Sequence, residues 1–203
     1  MLIIEPSYEI LHCTGDSIRL IEEAGRTCYK SEDNATNGST VNFISGIIKK
    51  GHLSVIEHAS LTVKFIIDRG ISHELVRHRL AAYSQESTRY CNYSKDKFQN
   101  QITVIRPCFW IINSEEMDSW KYAMMQAEKD YFHLLELGAK PQEARTVLPN
   151  SLKTEVVMTA NFREWRHVLK LRTSNTAHPQ IRQVMLPLWD ELQSLVPVIF
   201  NTL

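Results

Sequence analysis

Residues 114–137 carry the pattern that most narrows what this chain can become. Met117, Trp120, Met124, Ala127, Tyr131 and Leu134 recur at spacings of three and four, so on an α-helix they form one stripe. Ser114 precedes the run as a cap, and Glu115 and Glu116 stand where the positive end of the helix dipole favours carboxylates. A seam this long must be covered, either by the chain's own core or by another subunit.

The other elements are read the same way. SLTVKFII (60–67) and KTEVVMTA (153–160) are β-branched and apolar and read as strands, while MLIIE and SYEILHC read as edge strands or a hairpin. Asp16 is placed to cap a helix running to about Tyr29. Ser39 or Thr40 is placed to cap one running to about Lys50, with Gly51 suited to its C-terminus. Between them KSEDNATNGST (30–40) reads as a polar loop. Pro179 opens the last helix, with Ile181, Val184, Met185, Leu188, Leu192 and Leu195 as its apolar face and Pro197 as its stop. Strands broken by long helices, without regular βαβ alternation, predict an α+β fold. A length of 203 residues suits one core, so a single domain over residues 1–203 is expected.

Charge and cysteine usage exclude several classes. Lys plus Arg and Asp plus Glu both number 23, which gives no basic excess for general nucleic-acid binding, so any anion site must come from local clustering. Cys13, Cys28, Cys91 and Cys108 are scattered with no CxxC pair, fitting a reduced cytoplasmic protein better than a disulfide framework or zinc site. MLIIEPSYEI lacks the basic start and apolar stretch of a signal peptide, and no apolar run reaches the ~20 residues a membrane span needs.

The chemistry concentrates in GISHELVRHRLAAYSQESTRY (70–90). With residues 71–80 placed on a helix, Ile71, Leu75, Val76 and Leu80 share one half, and His73, Glu74, Arg77 and His78 the other. Arg79 falls in the apolar half, so it needs a buried anionic partner unless the helix ends before it. Ser84, Gln85, Glu86, Ser87, Thr88 and Arg89 follow, a density of hydrogen-bonding groups suited to a phosphate and a base; the plain alternative is a solvated helix and a polar loop. In NFREWRHVLKLR (161–172), Phe162, Trp165, Val168, Leu169 and Leu171 form the apolar arc, and Arg172 lies near its centre. Arg172 is either turned toward an anionic ligand or is a C-terminal arginine on the last carbonyls. Arg145, in PQEARTVLP, is a third candidate on a short helix opened by Pro141. His52 and His58 are six apart and His73 and His78 five apart, neither at the spacing of a helical zinc motif, so no metal is expected; His12 and His133 read as partly buried histidines.

Arg77-His78-Arg79, seven residues and then Ser87 is similar to the signature of the flavin-dependent thymidylate synthases. GHLSVIEH (51–58) resembles the segment before that family's first long strand. EARTVLP (143–149) resembles the segment carrying a substrate arginine, and NFREWRHVLKLR and AHPQIR (177–182) resemble its closing motifs. The order and spacing hold over nearly the whole chain.

This resemblance implies transfer of a one-carbon unit from methylenetetrahydrofolate to C5 of dUMP, with FAD, reduced by NADPH, supplying the hydride to give dTMP. It implies a central, mostly antiparallel sheet flanked by long helices, and a homotetramer with sites built from several subunits. Carried over to this sequence, Ser54, Arg77, His78, Arg79, Asn161, Arg163 and His167 would contact FAD. Glu74, Arg77, Gln85, Ser87, Arg89, Arg145 and Arg172 would meet dUMP. Arg172 would act as the catalytic group favouring ionisation of the uracil, and His52 would face the folate or nicotinamide. Ser84-Gln85 stand where many relatives have Asn-Glu, which leaves open whether Gln85 or Glu86 reaches the ligand. His167 stands where some have Asn, and Glu74 where some have Gln. Other readings are a relative acting on another pyrimidine nucleotide, a non-catalytic nucleotide- or RNA-binding module, or a cysteine-dependent thymidylate synthase using Cys108, although Phe109 replaces the histidine expected there.

Overall fold

The computed structural model describes residues 1–36 and 38–203, the side chain of Lys97 excepted; Asn37, within the 30–40 loop, lies outside the described residues. In chain order the elements are β1 (Leu2–Ile4), β2 (Ser7–Cys13), α1 (Ser17–Tyr29), α2 (Ser39–Lys49), β3 (Ser60–Asp68), α3 (Arg69–Leu75) and β4 (Ala81–Gln85). There follow β5 (Thr103–Ile105), α4 (Glu115–Glu136), α5 (Pro141–Ala144), β6 (Lys153–Asn161), α6 (Phe162–Arg172), α7 (Pro179–Leu195) and α8 (Pro197–Phe200). Four strands are ordered β2-β3-β6-β4. The result is the α+β, mostly antiparallel arrangement expected.

β1 and β2 do not form a hairpin. β1 pairs in parallel with β5, Leu2 against Thr103 and Ile4 against Ile105, while β2 edges the larger sheet. A two-residue hairpin turn needs positive φ at one or both central residues, which Glu5-Pro6 does not offer.

The chain divides into two compact units. The first comprises Met1–Ser7, Phe65–Arg77 and Ser84–Val156. Its core gathers Tyr93, Ile102, Val104, Met117, Trp120, Met124, Tyr131, Ala144 and Leu152. Ser114 caps α4 by accepting from the Met117 amide at 3.3 Å. The α4 seam is therefore covered from within its own chain: Met117, Trp120, Met124 and Tyr131 are buried there, and Trp120 Nε1 donates to Ser151 Oγ at 3.1 Å. Of the two coverings the sequence allowed, the chain's own core takes the seam, and Tyr122 and Met125 stand exposed on the same helix. α3 is capped by Asp68, which accepts from the Ile71 amide at 2.7 Å, and it ends at Leu75, so only the first half of the helix expected over 71–80 is realised.

The second unit comprises Tyr8–Lys64, His78–Tyr83 and Val157–Leu203. α1 and α2 meet at Gly25, where an added Cβ would lie 2.8 Å from Phe43 Cε1 and 2.9 Å from Ile47 Cδ1. Gly51, at φ 75°, closes α2: its amide donates to Ile48 O and that of His52 to Ile47 O, the paired bonds of a left-handed helix stop. The expected N-caps are not side-chain caps. Asp16 sits at φ 48° and offers its carbonyl to Arg19 and Leu20. Gly38 takes the cap position of α2, because the Ser39 and Thr40 hydroxyls donate to Glu22, at 3.0 and 2.5 Å. Glu22 also receives Arg26 Nη2 at 2.7 Å. Burial opposes the Glu22 charge, but Thr40, Arg26 and Ser39 together hold its pKa below the usual range.

α6 and α7 bury Phe162, Trp165, Val168, Leu169, Ile181, Val184, Met185, Leu188 and Leu192. Trp165 Nε1 donates to Leu61 O at 2.9 Å. Leu171 and Leu195 are exposed, so both apolar arcs are narrower than the sequence suggests. Pro197 ends α7 and opens α8.

Candidate functional site

In the second unit, α6 walls a groove of about 800 Å³ lined by Leu53, Glu57, Leu80, Asn161, Arg163, Glu164, Arg166, His167, Lys170 and Leu203. Asn161 ends β6 and caps α6, accepting from the Glu164 amide at 2.9 Å, which fixes where the first turn points its side chains. Arg163, Arg166, His167 and Lys170 then recur at three- and four-residue spacings along one face. Arg163 Nη1 is tied to Glu57 Oε1 at 2.6 Å. Arg166 has a different job: Nη1 donates to the Ile199 carbonyl, and burial draws its pKa below the ordinary value. Three basic side chains and an amide beside Leu53, Leu80 and Leu203 suit a ligand that combines phosphates with an apolar ring. The set fits FAD: Arg163, His167, Lys170 and Asn161 are of the type to hold its diphosphate, and the leucines to shield its ring system.

The second feature of this unit is His78. The turn after α3 leaves it 5% exposed, while Arg79 and Leu80 face solvent. Of the two alternatives for Arg79, the second holds: the helix ends before it, and the side chain needs no buried anion. The turn is held by the Tyr83 hydroxyl, which donates to His78 O at 2.8 Å. On one side of the ring Arg172 Nε donates to His78 Nε2 at 3.0 Å. On another, Nδ1 lies 3.6 Å from Glu164 Oε1. The His167 ring meets it edge-on, 5.8 Å between centroids. Burial first, then the charges of Arg172 and His167, push the His78 pKa down to about 4, so the ring is neutral at pH 7. Burial pushes the Glu164 carboxyl up, against a pull from His167. Burial and the Glu164 charge raise Tyr83 to about 12, against a downward pull from Arg172.

In the first unit the polar run after β4 is anchored rather than solvated. Gln85 Nε2 donates to Ser72 Oγ at 2.9 Å and Thr154 Oγ1 at 3.2 Å. Glu86 pairs with Lys153 Nζ at 3.0 Å, and Lys153 also reaches Glu155 at 2.6 Å. Burial works against the Lys153 charge, yet Glu155 and Glu86 outweigh it and raise its pKa. Ser87 Oγ accepts from the Arg89 amide at 3.3 Å, and the exposed Arg145 reaches buried Thr88 Oγ1 at 3.2 Å through Nη1. Ser87, Thr88, Arg89 and Arg145 are thus a local hydroxyl–guanidinium group. Glu74 is half-buried and Arg77 exposed.

His52, exposed, is 2.7 Å through Nδ1 from the Tyr29 hydroxyl, and Ser54 is exposed on the 3-10 segment Leu53–His58. His12 and His133 are exposed, not partly buried, since each lies on the water side of its element. Burial raises the Cys108 thiol pKa, which disfavours a thiolate. Sequence reasoning passed over Glu164, Tyr83 and Lys153. Asn161 with an acid three residues on is a capping-box pattern, which predicts that Glu164 reaches back to the cap; instead it is buried at 7% exposure against His78.

The profile of the family described as "Thymidylate synthase complementing protein" matches residues 9–198. A protein of Mycobacterium sp. (strain JLS) named "Flavin-dependent thymidylate synthase" is 34% identical over 204 residues, 89% of this chain and 78% of its own. A protein of the same name from Geobacter sulfurreducens is 32% identical over 199 residues, 95% of this chain and 84% of its own. Another, from Mycobacteroides abscessus, is 34% identical over 200 residues, 90% and 78%. The chain belongs to the thymidylate synthase complementing protein family.

Proposed function

We propose that the chain is a flavin-dependent thymidylate synthase that converts dUMP to dTMP, with methylenetetrahydrofolate as one-carbon donor, NADPH as reductant and FAD as cofactor. The observation that carries the reading is the groove along α6, whose basic face and leucine walls suit a dinucleotide, in a chain of this family. FAD would supply the hydride. Asn161, Arg163 and His167 would hold it with Ser54, Arg77, His78 and Arg79. Ser87, Arg89 and Arg145 would bind the nucleotide with Glu74, Arg77 and Gln85 or Glu86, and His52 would face the folate or nicotinamide.

C5 of uracil is a weak nucleophile, and negative charge on the ring strengthens it. Arg172 can stabilise that charge without giving up a proton, because a guanidinium does not lose one in proteins. The chain would act as one catalytic domain in a cytoplasmic homotetramer; no described helix is long and apolar enough to cross a membrane. With the α4 seam buried within the chain, the packing surface for assembly must be another one, and Tyr122 and Met125 are the apolar side chains α4 leaves exposed.

The test is tritium release from dUMP labelled at C5, measured with NADPH and FAD, with and without methylenetetrahydrofolate. Release dependent on both NADPH and FAD is expected. No release, or a purified protein that carries RNA and gains no flavin spectrum with FAD, would sink the reading.

A further inference from the structure

Arg172 is aimed by a ring whose own proton must be placed correctly. An arginine Nε–H can only donate, so His78 Nε2, 3.0 Å away, must present a lone pair. A neutral imidazole with its lone pair on Nε2 carries its proton on Nδ1. Nδ1 faces Glu164 Oε1 at 3.6 Å, longer than a hydrogen bond but close enough for a carboxylate to favour N–H over a second lone pair. Glu164 is set there by its backbone, since its amide is bound to Asn161 Oδ1 at the first turn of α6. The opposite tautomer would set a hydrogen against the Arg172 Nε–H and a lone pair against the carboxylate. Two other groups meet this residue: the His167 ring stands at its edge, and the Tyr83 hydroxyl is turned to its backbone carbonyl.

We propose that Glu164 is a positioning residue: its carboxylate fixes the Nδ1–H tautomer of His78, and His78 Nε2 in turn fixes the plane in which Arg172 presents its guanidinium. An acid in the first turn is ordinarily a solvated partner of the helix dipole. Here it is 7% exposed, and a dipole partner has no need of burial against an imidazole. Histidines that present one nitrogen to a functional group are commonly oriented by a carboxylate at the other. The catalytic part of the proposal rests on the reading of Arg172 given above; the tautomer does not.

The experiment compares wild type, Glu164→Gln and Glu164→Leu in protein labelled with ¹⁵N at histidine. Wild type is expected to show His78 as the neutral Nδ1–H tautomer. Glu164→Gln, which keeps an acceptor oxygen, should retain it, and Glu164→Leu should lose it. In tritium release, Glu164→Leu should lower kcat by about tenfold or more, with KM for dUMP and FAD affinity within about threefold, and Glu164→Gln should recover most of the rate. An unchanged tautomer in Glu164→Leu, or a wild-type ring protonated on Nε2, overturns the proposal. So does loss of FAD binding in both variants, which would put Glu164 in contact with the cofactor. If wild type releases no tritium but shows the tautomer pattern, the functional reading fails and the positioning contact stands.

Discussion

Acidification from pH 7 to pH 4 works against the fold at His78, because burial and two neighbouring charges lower its pKa from 6.5 to about 4. The unfolded chain therefore takes up this proton first. The stability His78 contributes is whole above about pH 6.5, shrinks through the window below it, and is lost as pH falls through about 4. At roughly 1.4 kcal/mol per unit, the separation between 6.5 and about 4 is worth about 3.5 kcal/mol in full, of which about 3 kcal/mol is lost by pH 4. Against the roughly 5–15 kcal/mol that holds a typical domain together, that is a large share. For a chain of this size it lowers Tm by about 6–12 °C. Glu164 works in the opposite direction: its raised pKa means the folded protein gains relative stability as that carboxyl takes up its proton. Glu22, with a depressed pKa, loses stability on acidification in any variant that keeps it.

The informative measurement is therefore a difference. Thermal melts from pH 7 to pH 4 are compared for wild type and His78→Gln, whose amide oxygen can accept from Arg172 without titrating. Wild type should fall more steeply than the variant by about that 6–12 °C. Parallel curves would refute the account, because they would mean that His78 is not held neutral in the folded protein.

The remaining expectations follow from single contacts. Trp165→Ala empties a fully buried site and strands the Leu61 carbonyl, and should cost about 3–5 kcal/mol in denaturant melts. Arg145→Ala removes an exposed side chain, so stability should stay within about 0.5 kcal/mol while KM for dUMP rises about tenfold or more in the tritium assay. Cys108→Ala should leave turnover largely intact, since burial keeps that thiol protonated; loss of activity confined to this variant would revive a cysteine nucleophile.

Long elements were legible in the sequence and short ones were not. α4 shows its period over 22 residues, and α6 and α7 over 11 and 17, so their buried faces were named almost residue by residue. α3 has 7 residues, about two turns, and the apolar spacing of Ile71, Leu75, Val76 and Leu80 runs past its end, since Val76 and Leu80 lie exposed in the turn before β4. Because α3 stops at Leu75, the two members of one motif trade places: Arg79, on the apolar half had the helix continued, faces solvent, and His78, on the polar half, lies inside. The groove was illegible for another reason. Leu53, Leu80, Lys170 and Leu203 are brought together by tertiary packing, which no local period encodes.

The same exchange changes what a half-buried arginine means in this fold. Its place on an apolar arc leaves two readings for Arg172, an anionic ligand or the last carbonyls of its helix. What Arg172 meets at Nε is a neutral imidazole, with the carboxylate placed across the ring at Nδ1. The difference matters chemically. A carboxylate hydrogen-bonded to the guanidinium would offset much of its positive field at short range. A neutral acceptor fixes orientation through one N–H and does not itself offset that charge. Glu164, one residue removed from the guanidinium, can set the geometry without cancelling the field. In the role proposed for Arg172, stabilising charge on a pyrimidine ring, the guanidinium needs a fixed plane, and the order Glu164–His78–Arg172 is one that would supply it.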